Sequence, residues 1–143
     1  MSPHVTTTTN LVGMVDVDLV QIHFASYMSW VDHAFSELLE ELGRPLQDIL
    51  STGWGTPVVD LHCSYRSPVG LGDRLLTRTW VDQVGTSSFT VRHEFSCQDR
   101  LAAVVDARHV WIRSENGRPS PQPLPAWLLE AAGSTAIRSS TSA

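Results

Sequence analysis

Two carboxylates, Asp16 and Asp18, stand at the end of a short β-prone stretch, and a helix begins a few residues after them. A carboxylate just ahead of a helix N-terminus can be held close to a substrate carbonyl, because the helix presents unpaired N–H groups and the positive end of its dipole there. Asp18 is either such a group or a loop residue that caps a turn. Asp16 is its rival, two positions away and pointing to the other side. The backbone N–H groups of Phe24, Ala25, Ser26 and Tyr27 are natural donors to a developing oxyanion, unless Ser26 caps them with its own hydroxyl. His23 lies in the same turn with a side chain that titrates near neutrality, and is either a substrate contact or a polar loop residue. Asp32 is oddly placed for a carboxylate, with Met28, Phe35 and Leu39 as its i−4, i+3 and i+7 neighbours.

The remaining reactive residue types are scattered. His62, His93 and His109 fall singly on separate strand-like segments with no metal-ligand spacing, and no metal or other cofactor is expected. G-x-S-x-G, a Gly-rich phosphate loop and C-x-x-C are all missing, which removes serine hydrolase, nucleotide hydrolase and dithiol redox chemistry. Cys63 and Cys97 read as small buried hydrophobes. A formal net charge of −5 without a Lys/Arg cluster argues against nucleic acid or acidic lipid as partners. No signal peptide or apolar run of the roughly 20 residues that span a bilayer is visible, so a soluble, cytoplasmic protein is expected.

The elements that must position these residues follow from periodicity. Tyr27, Trp30, Val31, Ala34, Phe35, Leu38, Leu39 and Leu42 recur at helical spacing, with Ser26 as N-cap and Gly43 and Pro45 as the stop. Thr56 to Tyr65 alternates as a strand; Leu75 to Val81, Ser88 to Cys97 and Leu101 to Ile112 follow, and sequential strands should pair as an antiparallel meander. The prolines from Pro119 to Pro125 end the sheet, and Pro125 to Ala132 forms a last short helix. With 143 residues and 42% apolar content, one α+β domain is expected over 10–132, between disordered ends at 1–9 and 133–143. A curved sheet covering one long helix leaves an open edge, and pairing of edges into a dimer closes it.

Three segments resemble the 4-hydroxybenzoyl-CoA thioesterase-like family of hotdog proteins, over Gly13 to Ile112: Asp16-Val17-Asp18 leading to His23-Phe24-Ala25-Ser26-Tyr27-Met28-Ser29-Trp30, Gly55-Thr56-Pro57-Val58-Val59 running into Cys63-Ser64-Tyr65-Arg66-Ser67-Pro68, and Gly72-Asp73-Arg74-Leu75. Gln21 stands where the family usually has Gly, and the stretch from Asp18 to Tyr27 is one residue short.

The resemblance implies a single hotdog domain that assembles as a homodimer or homotetramer by sheet extension. It implies a hydrolase that splits an acyl- or aroyl-CoA thioester, with Asp18 as nucleophile or general base and the helix N–H groups as oxyanion hole. Asp32 would line the acyl pocket and accept a hydrogen bond from an acyl hydroxyl, or else be solvated on the helix flank. Ser88, or Thr86 or Ser87, would reach the site from a neighbouring subunit. The basic residues that aromatic-CoA members carry before the fourth strand are replaced by Val84-Gly85-Thr86-Ser87-Ser88, which keeps a carrier-protein thioester such as a polyketide intermediate open beside CoA; a non-catalytic acyl-binding module is the other alternative, and the presence of Asp18 favours the enzyme over it.

Overall fold

The computed structural model describes residues 2–17, 22, 24–133 and 137–138. In chain order the elements are β1 (Thr6–Leu11), a 3-10 turn (Met14–Asp16), α1 (Phe24–Glu41), α2 (Leu46–Ser51), β2 (Trp54–Gly55), β3 (Val58–Tyr65), β4 (Arg74–Val84), β5 (Ser88–Cys97), β6 (Arg100–Val110), β7 (Ile112–Glu115), β8 (Arg118–Pro121), α3 (Ala126–Ala132) and β9 (Ile137–Arg138). Helix α1 lies against a sheet in the order β1-β4-β5-β6-β3, which is the expected hotdog arrangement. No helix among the described residues is long and apolar enough to cross a membrane.

Helix α1 buries the face its periodicity marks out, from Tyr27 through Trp30, Val31 and Phe35 to Leu39. It starts earlier than expected: Phe24 is its first residue, so Ser26 sits inside the first turn and is not the N-cap. The C-terminal stop is as read. Gly43, at φ +74, donates to the Glu40 carbonyl and Arg44 to the Leu39 carbonyl, so the two orphan carbonyls are satisfied in a Schellman turn that needs a left-handed residue.

The ends correct the domain reading. Residues 6–9 belong to the sheet and not to a frayed tail, since Thr6 to Leu11 pairs with β4 and places Thr6 opposite Thr79 and Thr8 opposite Thr77. Threonine suits a strand because its branched side chain packs well there, and Thr6 and Thr8 are buried. Thr6 Oγ1 also donates to Glu41 at 2.9 Å, and His4 Nε2 lies 2.7 Å from the same carboxylate, which ties β1 to the end of α1. Within 133–143, Ile137–Arg138 forms β9, parallel to β4.

Strands β4, β5 and β6 make the expected meander, but β3 pairs with β6 rather than with its successor β4. The connection after Tyr65 therefore crosses the end of the sheet, held by the Arg66 and Ser67 N–H groups on the Ala102 carbonyl. The prolines after Arg118 do not end all pairing. Pro119 and Pro121 lie in β8, the edge of a small second sheet β2-β7-β8, where a missing N–H is tolerated. Trp54 of β2 stacks at 4.8 Å on Trp111, which lies between β6 and β7, and Trp127 of α3 meets Trp111 edge-on at 5.9 Å. Cys97 is buried as expected, whereas Cys63 is only half-buried on β3.

Candidate active site

The segment ahead of α1 is pinned before it reaches the helix. Val12, buried in the core, donates to the Asp73 carbonyl at 2.8 Å, and Gly72 donates back to the Val12 carbonyl at 2.9 Å. Gly72 is at φ +86, and Asp73 Oδ2 accepts from the Gly70 N–H at 2.9 Å. The Gly72-Asp73 pair thus serves as a turn that fastens the chain just before Asp16.

Asp16 continues the fastening. Its Oδ2 accepts from the Gly13 N–H and its Oδ1 from Ser26 Oγ, both at 2.8 Å. Both carboxylate oxygens are engaged in bracing the turn against the first turn of α1. The Ser26 hydroxyl donates to Asp16, and Ser26 lies inside the first turn of α1 rather than at the N-cap position. Beyond Asp16, Val17 forms an antiparallel bridge with Ile22, two residues before α1 begins. Asp18, Gln21 and His23 lie outside the described residues.

Phe24, Ala25 and Ser26 occupy the first three helical positions, where N–H groups have no acceptor within the helix. Tyr27 is the fourth, where helical i to i−4 pairing takes over. Phe24 is exposed and Tyr27 is not. The Tyr27 ring packs edge-on against Trp30, Tyr65 and Phe95 at 5.1 to 5.5 Å. Burial, followed by the neighbouring Tyr65, pushes its phenol up to about 12. Its ring is part of the core around the helix start.

One turn further along α1, a cavity of about 290 Å³ opens between the helix and the β3 edge, lined by Met28, Val31, Asp32, Phe35, Val58, Leu61 and His109. Asp32 is thus brought to an apolar pocket, as the helix spacing suggested, although its side chain remains exposed. His109 joins it from β6. In the sequence His109 was set aside as one of three single histidines without metal-ligand spacing, yet a signal was present: it is in step with the inward-facing Ala103, Val105 and Ala107. A second cavity of about 540 Å³ lies at the other end of α1, among Arg44, Asp48, Trp54, Trp111 and Trp127.

Ser88 is buried at the start of β5, seven positions from Phe95, which packs on Tyr27. At about 3.3 Å per strand residue these ends are roughly 23 Å apart, so within one chain Ser88 does not meet the helix start.

The model of the Thioesterase-like superfamily matches residues 12–132. The chain belongs to this superfamily. The thioesterase is 30% identical over 115 residues to a 1,4-dihydroxy-2-naphthoyl-CoA hydrolase of Synechococcus sp. (strain CC9605), covering 75% of this chain and 77% of the relative. Two solved structures share its fold. A 1,4-dihydroxy-2-naphthoyl-CoA thioesterase from Synechocystis superposes with a TM-score of 0.78 at 24% identity, over 92% of this chain and 97% of the other. The 4-hydroxybenzoyl-CoA thioesterase of Pseudomonas sp. strain CBS-3 does so with a TM-score of 0.79 at 23% identity, over 89% and 98%.

Proposed function

We propose that this thioesterase hydrolyses an aroyl- or acyl-CoA thioester to the free acid and CoA, with Asp18 as the reacting carboxylate. The observation that carries the reading is the fastening of residues 12–17 to the start of α1 by Asp16, Ser26 and the Val17–Ile22 bridge. It ties Val17 and Ile22, the described residues on either side of Asp18, to the approach to α1, whose first N–H groups at Phe24, Ala25 and Ser26 have no acceptor within the helix. Attack on the thioester carbonyl, by the carboxylate or by a water it deprotonates, places negative charge on the carbonyl oxygen, which those N–H groups stabilise. Collapse breaks the C–S bond and releases the thiol. His23 and Tyr27 are the further substrate contacts of this reading. A screen of purified protein against aromatic and aliphatic acyl-CoAs, read by free thiol, should show turnover, and release from none of them sinks the proposal.

Asp32 supports a hydroxylated acyl group, since it is the carboxylate among the apolar walls of the 290 Å³ cavity. Asp32→Ala is expected to lower kcat/KM for 4-hydroxybenzoyl-CoA by about 1 to 3 kcal/mol and to spare benzoyl-CoA. Equal losses on both substrates contradict the role.

We further infer that β3 pairs with β3 of a second copy. It is a sheet edge, and it exposes Val58 by 52%, Val59 by 50%, Leu61 by 37% and Tyr65 by 56%, more apolar surface than a free edge strand normally shows. Assembly as a dimer or a dimer of dimers also gives Ser88 its route to the site of a neighbouring subunit. Light scattering at micromolar concentration should give twice or four times the chain mass. A stable monomer contradicts it.

A further inference from the structure

The cavity of about 540 Å³ at the C-terminal end of α1 falls within the roughly 300 to 1,000 Å³ of small-molecule sites, and three tryptophans wall it. Trp111, 5% exposed, sets the other two, since Trp54 stacks on it and Trp127 meets it edge-on. The Arg44 guanidinium is held over the Trp127 ring at 5.8 Å, on a backbone fixed by the turn that ends α1. Asp48 enters from α2. It lies one helical turn before Thr52, so the two share a face of that helix, and both line the cavity. The Thr52 hydroxyl is spent on the Asp48 and Ile49 carbonyls, which leaves Arg44 and Asp48 as the charged groups of the wall. Both are exposed. Among the described residues neither forms an ion pair, with the other or with a third group. One cavity thus offers a cation, a carboxylate and an aromatic surface.

We propose that this cavity binds a free α-amino acid with an aromatic side chain, its carboxylate on Arg44, its ammonium on Asp48 and its ring against the tryptophans. The charges select the class by exclusion. An aromatic acid without an amine brings its carboxylate into a cavity that also holds Asp48, and an aromatic amine brings its cation beside Arg44, so each gains one attraction and meets one repulsion. A neutral ring pairs with neither charge and takes water from both. A small amino acid answers both charges and leaves the tryptophans uncovered, whereas aromatic pairs gain more than their buried area alone supplies. The cavity shares no lining residue with the one of 290 Å³ beside β3, so its occupant is a second ligand and not the acyl group.

Titration calorimetry on the full chain tests this with no thioester present. L-phenylalanine should bind with a Kd of about 1 mM or tighter. Phenylpropionate lacks the ammonium, phenethylamine lacks the carboxylate and L-alanine lacks the ring, and each should bind at least about tenfold more weakly. Two variants at the exposed charges then separate loss of the ligand from loss of the fold. Arg44→Gln should bind L-phenylalanine about tenfold less well than wild type and phenethylamine better, because the repelling cation is gone. Asp48→Asn should likewise lose affinity for L-phenylalanine and gain it for phenylpropionate. A cavity that has merely collapsed gains affinity for nothing, and the wild-type series decides the matter without either variant. No binding of L-phenylalanine at about 10 mM, tenfold above that Kd, overturns the proposal. So does an analogue lacking one charge that binds wild type as tightly as the amino acid, or a pair of folded variants that keep the wild-type order of preference.

Discussion

Asp18→Asn lowers kcat by on the order of 10³-fold or more and leaves the folded state intact, because the amide keeps the shape of the side chain and loses the oxygen that makes or prepares the new bond. The oxyanion donors and the pocket persist in the variant and account for its residual rate. Asp16→Asn provides the contrast. Its carboxylate spans Gly13 and Ser26, so the exchange weakens the fastening of the turn and costs stability, with a far smaller effect on the chemical step. Single turnover in ¹⁸O-labelled water then separates the two mechanisms. Attack by the carboxylate forms a mixed anhydride whose hydrolysis leaves a solvent oxygen in Asp18, whereas base catalysis leaves none. Activity of Asp18→Asn above about a tenth of wild type, a loss under roughly 1.4 kcal/mol, is incompatible with the assignment.

Acidification below neutrality destabilises the fold through His93, which has no exposed surface on β5 and sits with Nδ1 2.9 Å from Thr79 Oγ1. Burial first, then the neighbouring His109, hold its pKa down to about 3, with Asp106 pulling weakly the other way. In the unfolded chain the same group titrates near 6.5. Between these values the unfolded state takes up a proton that the folded state refuses. The stability is therefore complete above pH 6.5 and is lost as pH falls toward 3, at about 1.4 kcal/mol per unit. From pH 7 to pH 5 this one residue removes about 2 kcal/mol, a large share of the roughly 5 to 15 kcal/mol that hold a domain together. Burial of His109 acts with the same sign. In His93→Asn the amide keeps a partner for Thr79 and cannot titrate in this range, so urea unfolding should show a shallower pH dependence by about 2 kcal/mol over that interval. Parallel losses in the variant and the wild type would falsify the linkage.

What could be read from the sequence, and what could not, divides along physical lines. The buried face of α1 and the limits of β5 at Ser88 and Cys97 were visible because apolar residues repeat there at a single period. Phe24 and Ala25 carry no such signal, since the first turn of α1 is exposed at its open end, and so the helix start was placed late. Strand β1 escaped because its inward positions are Thr6 and Thr8, polar in name and buried in fact. Helix α2, six residues long, is too short to show a period. The partnering of β3 with β6 is a property of the whole sheet and leaves no local trace. At the site, the odd position of Asp32 on the helix was legible and led to the cavity. The tautomer of His109 was not, because it depends on the carbonyl of Thr56, distant in sequence, lying against the ring.

The cavity wall formed by Val58 and Leu61 belongs to the strand at the sheet edge. A ligand that presses on those side chains and a neighbour that pairs with their backbone therefore act on the same few residues. Whatever factor one contributes to the affinity of the other must be returned in full, because the two bindings close a thermodynamic cycle. With β3 paired to a second copy as proposed, ligand affinity and subunit association depend on one another by that shared factor, and ligand affinity measured across protein concentrations reads its size.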